Sequence, residues 1–193
     1  MAQDLARPAT YADLEAVPEH LIAEIIFGQL ETHPRPVPKH AMAHGSLIDE
    51  LIGPFQKGRG GPGGWVFMVE PELHLGPHVL VPDVAGWRQE RLPHLPRTAY
   101  LETPPDWVCE LLSPATENRD RGDKLRIYGA FAVGHVWLVD ATARRLEVFE
   151  RKDGKWQLFE TYVDNVEVHA PPFDAYTFSL GLLWPLDFAP DQT

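Results

Sequence analysis

Three residues stand where their types are out of keeping with their neighbours: Asp83, Glu110 and Lys124. Asp83 lies in VLVPDVAGW, where Val79, Val81 and Ala85 share its side of an extended chain and Leu80 and Val84 occupy the other. Apolar residues on both faces predict a central strand, in which a carboxylate is misplaced. Glu110 repeats the anomaly in DWVCELLS: Val108 and Leu112 flank it on its own face, and Trp107, Cys109 and Leu111 fill the opposite one. Burying an unpaired carboxylate costs several kcal/mol even after relaxation, which rivals the whole stability of a domain of this size. A cation, a basic side chain, backbone amides or protonation must compensate.

The segment after Ser113 supplies a basic candidate. In a helix there, Lys124, Ile127, Tyr128 and Phe131 form one stripe, so Lys124 sits on or beside the core-facing side and can reach the sheet. Two carboxylates can bind a hard divalent ion through oxygen, and an ammonium beside them can polarise a water and stabilise charge developing on a phosphate. Those parts suit phosphodiester hydrolysis. They equally suit a buried Glu–Lys or Asp–Lys ion pair with no catalytic duty.

The elements that must position these residues follow from local pattern. Thr10 caps a short helix, with Asp13 three residues later and Pro18 ending it. Leu21 to Thr32 reads as a hairpin turning at Gly28, and HPRPVP (33–38) as a connector that is neither strand interior nor helix interior. Met42, Leu47, Ile48, Leu51, Ile52 and Phe55 line one face of a helix between Lys39 and Gln56, which Pro54 ends or kinks. The glycine-rich stretch 58–64 is a flexible turn and no phosphate loop, because no Gly-Lys-Ser/Thr follows it. Strands are expected in WVFMVEPELHL, HVLVPDVAGW and DWVCELLS, then a helix over 117–132, then strands in HVWLVD, RRLEVFER, KWQLFETYV and YTFSLGLLW, with a hairpin turn at Asp153–Gly154. Residues 10–184 form one domain on this reading, with flexible ends at 1–9 and 185–193.

Composition bounds the function. With 193 residues, 44% apolar and 23% charged, the chain can close one sizeable core and is neither disordered nor fibrous. No apolar run is long enough for a membrane span, and the N-terminus lacks the order of a signal peptide, so a cytoplasmic location with no membrane partner is expected. Cys109 is the single cysteine, which excludes an internal disulfide, and its apolar flanks make it a core residue. His40 and His44 lack the intervening glutamate of a zinc-protease helix. The formal net charge of -11 disfavours tight nonspecific DNA binding, although Arg119, Arg121 and Arg126 offer a local basic patch. Asp120 precedes Lys124 by four residues, a spacing for a helical ion pair, or only favours the helix N-terminus, and Trp137 and Phe149 are read as core.

The order VPD (81–83), ELLSPAT (110–116), DRGDKLRIY (120–128) and HVWLVD (135–140), preceded by AEIIFGQL near the start, resembles the Uma-type endonuclease family, a branch of the PD-(D/E)XK restriction-endonuclease-like superfamily, over roughly residues 10 to 184. The resemblance implies an α/β fold with a restriction-endonuclease-like core, a mixed β-sheet flanked by helices, and additional β-hairpins. It implies Mg2+, with Mn2+ as an alternative, held by Asp83 and Glu110, and Lys124 as the catalytic lysine. The superfamily's usual pattern puts that lysine two residues after the second acid, where this chain has Leu112, so the function moves to the helix. Glu70 matches the family's strand-borne acid, which can bind metal through water, or is an ordinary hairpin charge; Glu24 matches an acid near the site. His40 falls where the family often has a histidine, or is a capping or solvated residue. DNA as substrate and a homodimer are implied in the same way. Two function classes stay open: a metal-dependent endonuclease, and a catalytically inactive binding or regulatory protein that keeps the fold.

Overall fold

The computed structural model describes residues 7–35 and 37–186. The expected flexible ends, 1–9 and 185–193, lie largely outside the described residues; Arg7 binds the Asp13 carboxylate at 2.7 Å and Ala9 donates its N–H to Gly28 O at 2.8 Å.

Helix α1 (Tyr11–Glu15) opens on a capping box in which Thr10 and Asp13 satisfy each other's backbone N–H groups. Strands β1 (Leu21–Ile26) and β2 (Gln29–Pro34) form the expected hairpin. Its two-residue turn needs φ > 0 twice, at Phe27 (49°) and Gly28 (78°). The connector expectation for 33–38 needs correction at both ends: His33 pairs with Ile22 inside β2, and Pro38 opens α2 (Pro38–Leu51). A proline is tolerated at a helix's first position, where its missing N–H would have had no partner. Past Leu51 the chain continues as a π-helical turn, Ile52–Gln56, around Pro54.

Strands β3 (Trp65–Val69), β4 (Glu72–Leu75), β5 (His78–Leu80) and β6 (Val84–Arg88) come from the two long runs, each of which is broken once. Antiparallel pairs β3–β6 and β4–β5 lie in different sheets, so the two chain segments cross from one sheet to the other together. Both breaks hold a proline, Pro71 and Pro82, which cannot donate to a ladder. Glu70 (φ 45°) bridges them by donating its N–H to Asp83 O at 2.9 Å. Asp83 therefore sits at a corner between strands and not inside a central strand, correcting the sequence expectation.

Then follow β7 (Tyr100–Leu101), β8 (Trp107–Leu111), α3 (Glu117–Arg119), a π-helical turn (Asp120–Lys124), α4 (Leu125–Ala130), β9 (His135–Asp140), β10 (Arg145–Lys152) and β11 (Lys155–Val163). YTFSLGLLW is not a strand: only Phe178–Ser179 (β13) pairs, with β12 (Glu167–Val168), and Leu180–Leu183 is a 3₁₀ turn. A six-stranded mixed sheet, β11-β10-β9-β8-β6-β3, and a five-stranded mixed sheet, β2-β1-β5-β4-β7, complete the α/β fold. One face of the larger sheet packs on α2 and the chain's C-terminal part through Leu47, Trp107, Trp137 and Leu180. Its other face meets α4 and the smaller sheet through Val108, Val136, Ile127, Tyr128 and Leu80. Cys109, Trp137 and, in part, Phe149 are core residues. Among the described residues no helix is long and apolar enough to cross a membrane.

Candidate active site

Register brings the first two acids together. Strand β6 ends its pairing with β8 at Val84↔Cys109, and one further step of the same antiparallel register sets residue 83 against residue 110. Leu111 donates its N–H to Asp83 Oδ2 at 2.7 Å, which fixes the corner to the end of β8. Glu110, on the face of β8 turned toward α4, is 2% exposed.

The helical segment after Ser113 delivers the third residue. Its first turn is α-helical, its second is the π turn, and Lys124 closes that turn. π turns are rare and recur at functional sites, because the extra residue re-aims side chains. Lys124 Nζ lies 2.8 Å from Glu110 Oε1, 3.1 Å from Glu24 Oε1 and 3.6 Å from Asp120 Oδ1. Tyr128, one turn on, donates its hydroxyl to the same Glu110 Oε1 at 2.5 Å. Glu24 reaches the cluster from β1 and accepts from Val81 N at 2.9 Å. Its other oxygen is buried without a hydrogen-bond partner among the described residues, with His33 Nε2 and Arg119 Nε each at 3.8 Å.

These groups surround a cavity of about 310 Å³. Asp83, Glu110, Lys124, Asp120 and Glu70 all line it, as do His33 and His40; Glu24 stands behind Lys124 and is absent from the lining. Glu70 is half-exposed and paired with Arg35 at 3.4 Å. Among the charged lining residues, four carboxyls face two cations, Lys124 and Arg35. Burial pushes the Asp83 carboxyl up to about 7, against the pull of the Leu111 N–H and Lys124. Burial also holds Glu110 well above the usual carboxylate range, with Lys124 opposing and the neighbouring acids adding to the rise. Burial works to lower the Lys124 ammonium, but Glu110, Glu24, Tyr128 and Asp120 outweigh it, so the lysine stays charged. Tyr128 is raised by burial and by Glu110. Burial lowers His33 and His40.

The donor set fits a divalent cation. Two carboxyl side chains, Asp83 and Glu110, line one cavity, and Mg2+ commonly takes one or two carboxylates and completes its octahedron with water and substrate phosphate. Among the described residues no group of three or more His, Cys, Asp or Glu side chains is arranged to hold a metal ion.

Asp120 and Tyr128 were undervalued by sequence reasoning. Their signal was their spacing of four residues on either side of Lys124, which puts all three on one side of the helical segment. The expected basic patch is not formed. Arg119 faces Glu24 and Glu31, Arg121 pairs with Glu117 and Glu147, and Arg126 alone is largely exposed, beside Asp123.

A two-sheet mixed α/β core with few helices is a restriction-endonuclease-like frame. The chain belongs to the Uma2 family, described as "Putative restriction endonuclease", whose model matches residues 8–181. It is also similar in fold to a crystal structure of a putative nuclease belonging to DUF820 from Anabaena variabilis, with a TM-score of 0.72 and 21% identity over 91% of this chain and 97% of that one. No curated protein matches the chain.

Proposed function

We propose that this chain is a divalent-metal-dependent endonuclease that hydrolyses DNA phosphodiester bonds. The observation that carries the proposal is that Asp83, Glu110 and Lys124 line one cavity whose acidic side chains outnumber its basic ones. Asp83 and Glu110 are the side chains that would hold Mg2+ or Mn2+. When bound there, the ion supplies Lewis acidity toward a phosphate oxygen and lowers the pKa of a coordinated water.

The protein's own residues do the rest. Lys124 places a fixed ammonium where negative charge develops on the phosphate, in surroundings too dry to screen it. Glu24 and Asp120 keep that ammonium charged and aimed, and Tyr128 restrains Glu110 through its shared oxygen. Glu70 serves from the cavity wall, its charge held by Arg35 in the absence of substrate. A cytoplasmic homodimer, in which each subunit cuts one strand of a duplex, completes the reading; light scattering on the full chain tests the dimer.

Calorimetric titration of Mg2+ or Mn2+ into the wild type and Asp83→Ala, beside cleavage of single-stranded and duplex DNA, tests the function. Binding and metal-dependent cleavage in the wild type, both lost in the variant, are expected; a wild type that binds neither ion sinks the proposal. The net charge of -11 favours a second reading, a catalytically inactive binding protein. Metal binding with no cleavage of any DNA would select it.

A further inference from the structure

Outside the candidate active site, one groove runs against the acidic character of the whole chain. It lies between α4 and the β10–β11 turn, and its charged lining residues are Arg126, Arg151 and Lys155, with no acidic side chain among them. Sequence reading grouped Arg126 with Arg119 and Arg121; folding separates it from them and sets it beside two cations from a hairpin some 25 to 30 residues later.

The groove is built and not merely bordered by mobile side chains. Its wall is Trp156, half-buried on the core, with its indole N–H fixed on Leu125 O at 2.8 Å. Gly129 makes that approach feasible, since a Cβ there would stand 3.1 Å from the Trp156 indole nitrogen. Arg151 Nε is buried with no hydrogen-bond partner among the described residues. A desolvated guanidinium donor without an acceptor is costly, and an anion is the species that would satisfy it. The Arg126 guanidinium rests over the Phe27 ring, 4.9 Å from its centre, and its approach to Asp123 is 3.4 Å between exposed side chains, too weak to neutralise it. Arg126 lies two residues beyond Lys124, so the groove flanks the same helical segment that supplies the site's lysine.

We propose that Arg126, Arg151 and Lys155 form a phosphate-binding groove that takes the backbone of a DNA duplex beyond the bond held in the active-site cavity. The assignment rests on the nuclease reading for the identity of the polyanion. Such groups position a duplex without reading its sequence, and they account for how a chain of net charge -11 holds DNA: repulsion is spread over the surface while attraction is concentrated in one place.

The test is fluorescence anisotropy with a labelled DNA duplex, with Ca2+ replacing Mg2+ so that the duplex stays intact, over about 50 to 200 mM salt. The triple variant Arg126→Ala/Arg151→Ala/Lys155→Ala should bind at least ~10-fold more weakly at the low end, with its salt slope shallower by about 0.9 for each phosphate it no longer neutralises. Lys155→Glu, at an exposed position, should weaken binding several-fold and guards against misfolding of the triple variant. A control removing charge elsewhere, Lys57→Ala/Arg59→Ala, should leave the slope unchanged. A triple variant that matches the wild type or the control overturns the proposal, as does a wild type that does not bind the duplex. Groove-dependent binding without metal-dependent cleavage would leave the groove standing and remove the nuclease reading.

Discussion

Lys124 Nζ lies 3.1 Å from Glu24 Oε1, the same oxygen that accepts the Val81 N–H. One carboxylate thus joins the helical segment to β1 and to the corner that leads into Asp83. Because Glu24 is fully buried, the joint is sensitive to charge. Glu24→Gln keeps an acceptor for Val81 and should fold with a modest loss, whereas Glu24→Ala leaves Lys124 only Glu110 and Asp120, leaves the Val81 N–H without its acceptor, and should cost about 3–5 kcal/mol in urea unfolding. Both should cut more slowly; equal stability of the two variants would mean that Glu24 does not anchor the lysine.

Lys124→Met should abolish cleavage while leaving metal affinity largely intact, since the ammonium belongs to the transition state and the carboxylates to the ion. It should also cost about 3–5 kcal/mol, because Glu24 and Glu110 lose their shared cation. Adding Glu110→Gln should restore part of that stability, and a double-mutant cycle reads the coupling directly. Unchanged turnover in Lys124→Met would remove the lysine from the mechanism.

Tyr128→Phe removes the hydroxyl that donates to Glu110 Oε1 and leaves the ring in the core. Loss of one donor to a buried carboxyl predicts about 1–3 kcal/mol of destabilisation. Thermal unfolding of the metal-free protein checks it, and no measurable loss would show that water replaces the hydroxyl.

Stability of the metal-free protein should depend on Asp83. Its carboxyl is raised in the folded state to about 7 from an ordinary value of 3.8, so folding favours the protonated form. That contribution is complete below about pH 4 and is lost as pH rises through about 7. Chelator-treated wild type should therefore weaken between about pH 4 and 7, by a few kcal/mol at most, and Asp83→Asn should flatten the dependence. A bound divalent cation competes with the same proton, so metal affinity should rise over that interval. Identical pH profiles for wild type and Asp83→Asn would contradict the assignment.

Much of this was legible in local pattern. The capping box at Thr10 and Asp13, the Phe27–Gly28 turn, α2, and the hairpins β9–β10 and β10–β11 rest on interactions between near neighbours, which a sequence displays directly. The runs 65–75 and 78–87 misled, because continuous apolar character says that a segment is buried but not in which sheet. Their prolines were visible, yet only the partner strands reveal that both breaks fall at one corner.

The sequence by itself determined that Asp83 and Glu110 are acids in apolar surroundings and that Lys124 shares a helical stripe with core residues; burial of charge is a conflict any reader of residue types can see. Only the tertiary structure decided how the conflict is resolved. The antiparallel register of β6 and β8 opposes 83 to 110, the π turn delivers Lys124 between Glu110 and Glu24, and the fold pairs Arg119 and Arg121 with carboxylates while leaving Arg126 to face Arg151 and Lys155. Charges interact through space at a few ångströms, and distance across a sheet bears no relation to separation along the chain.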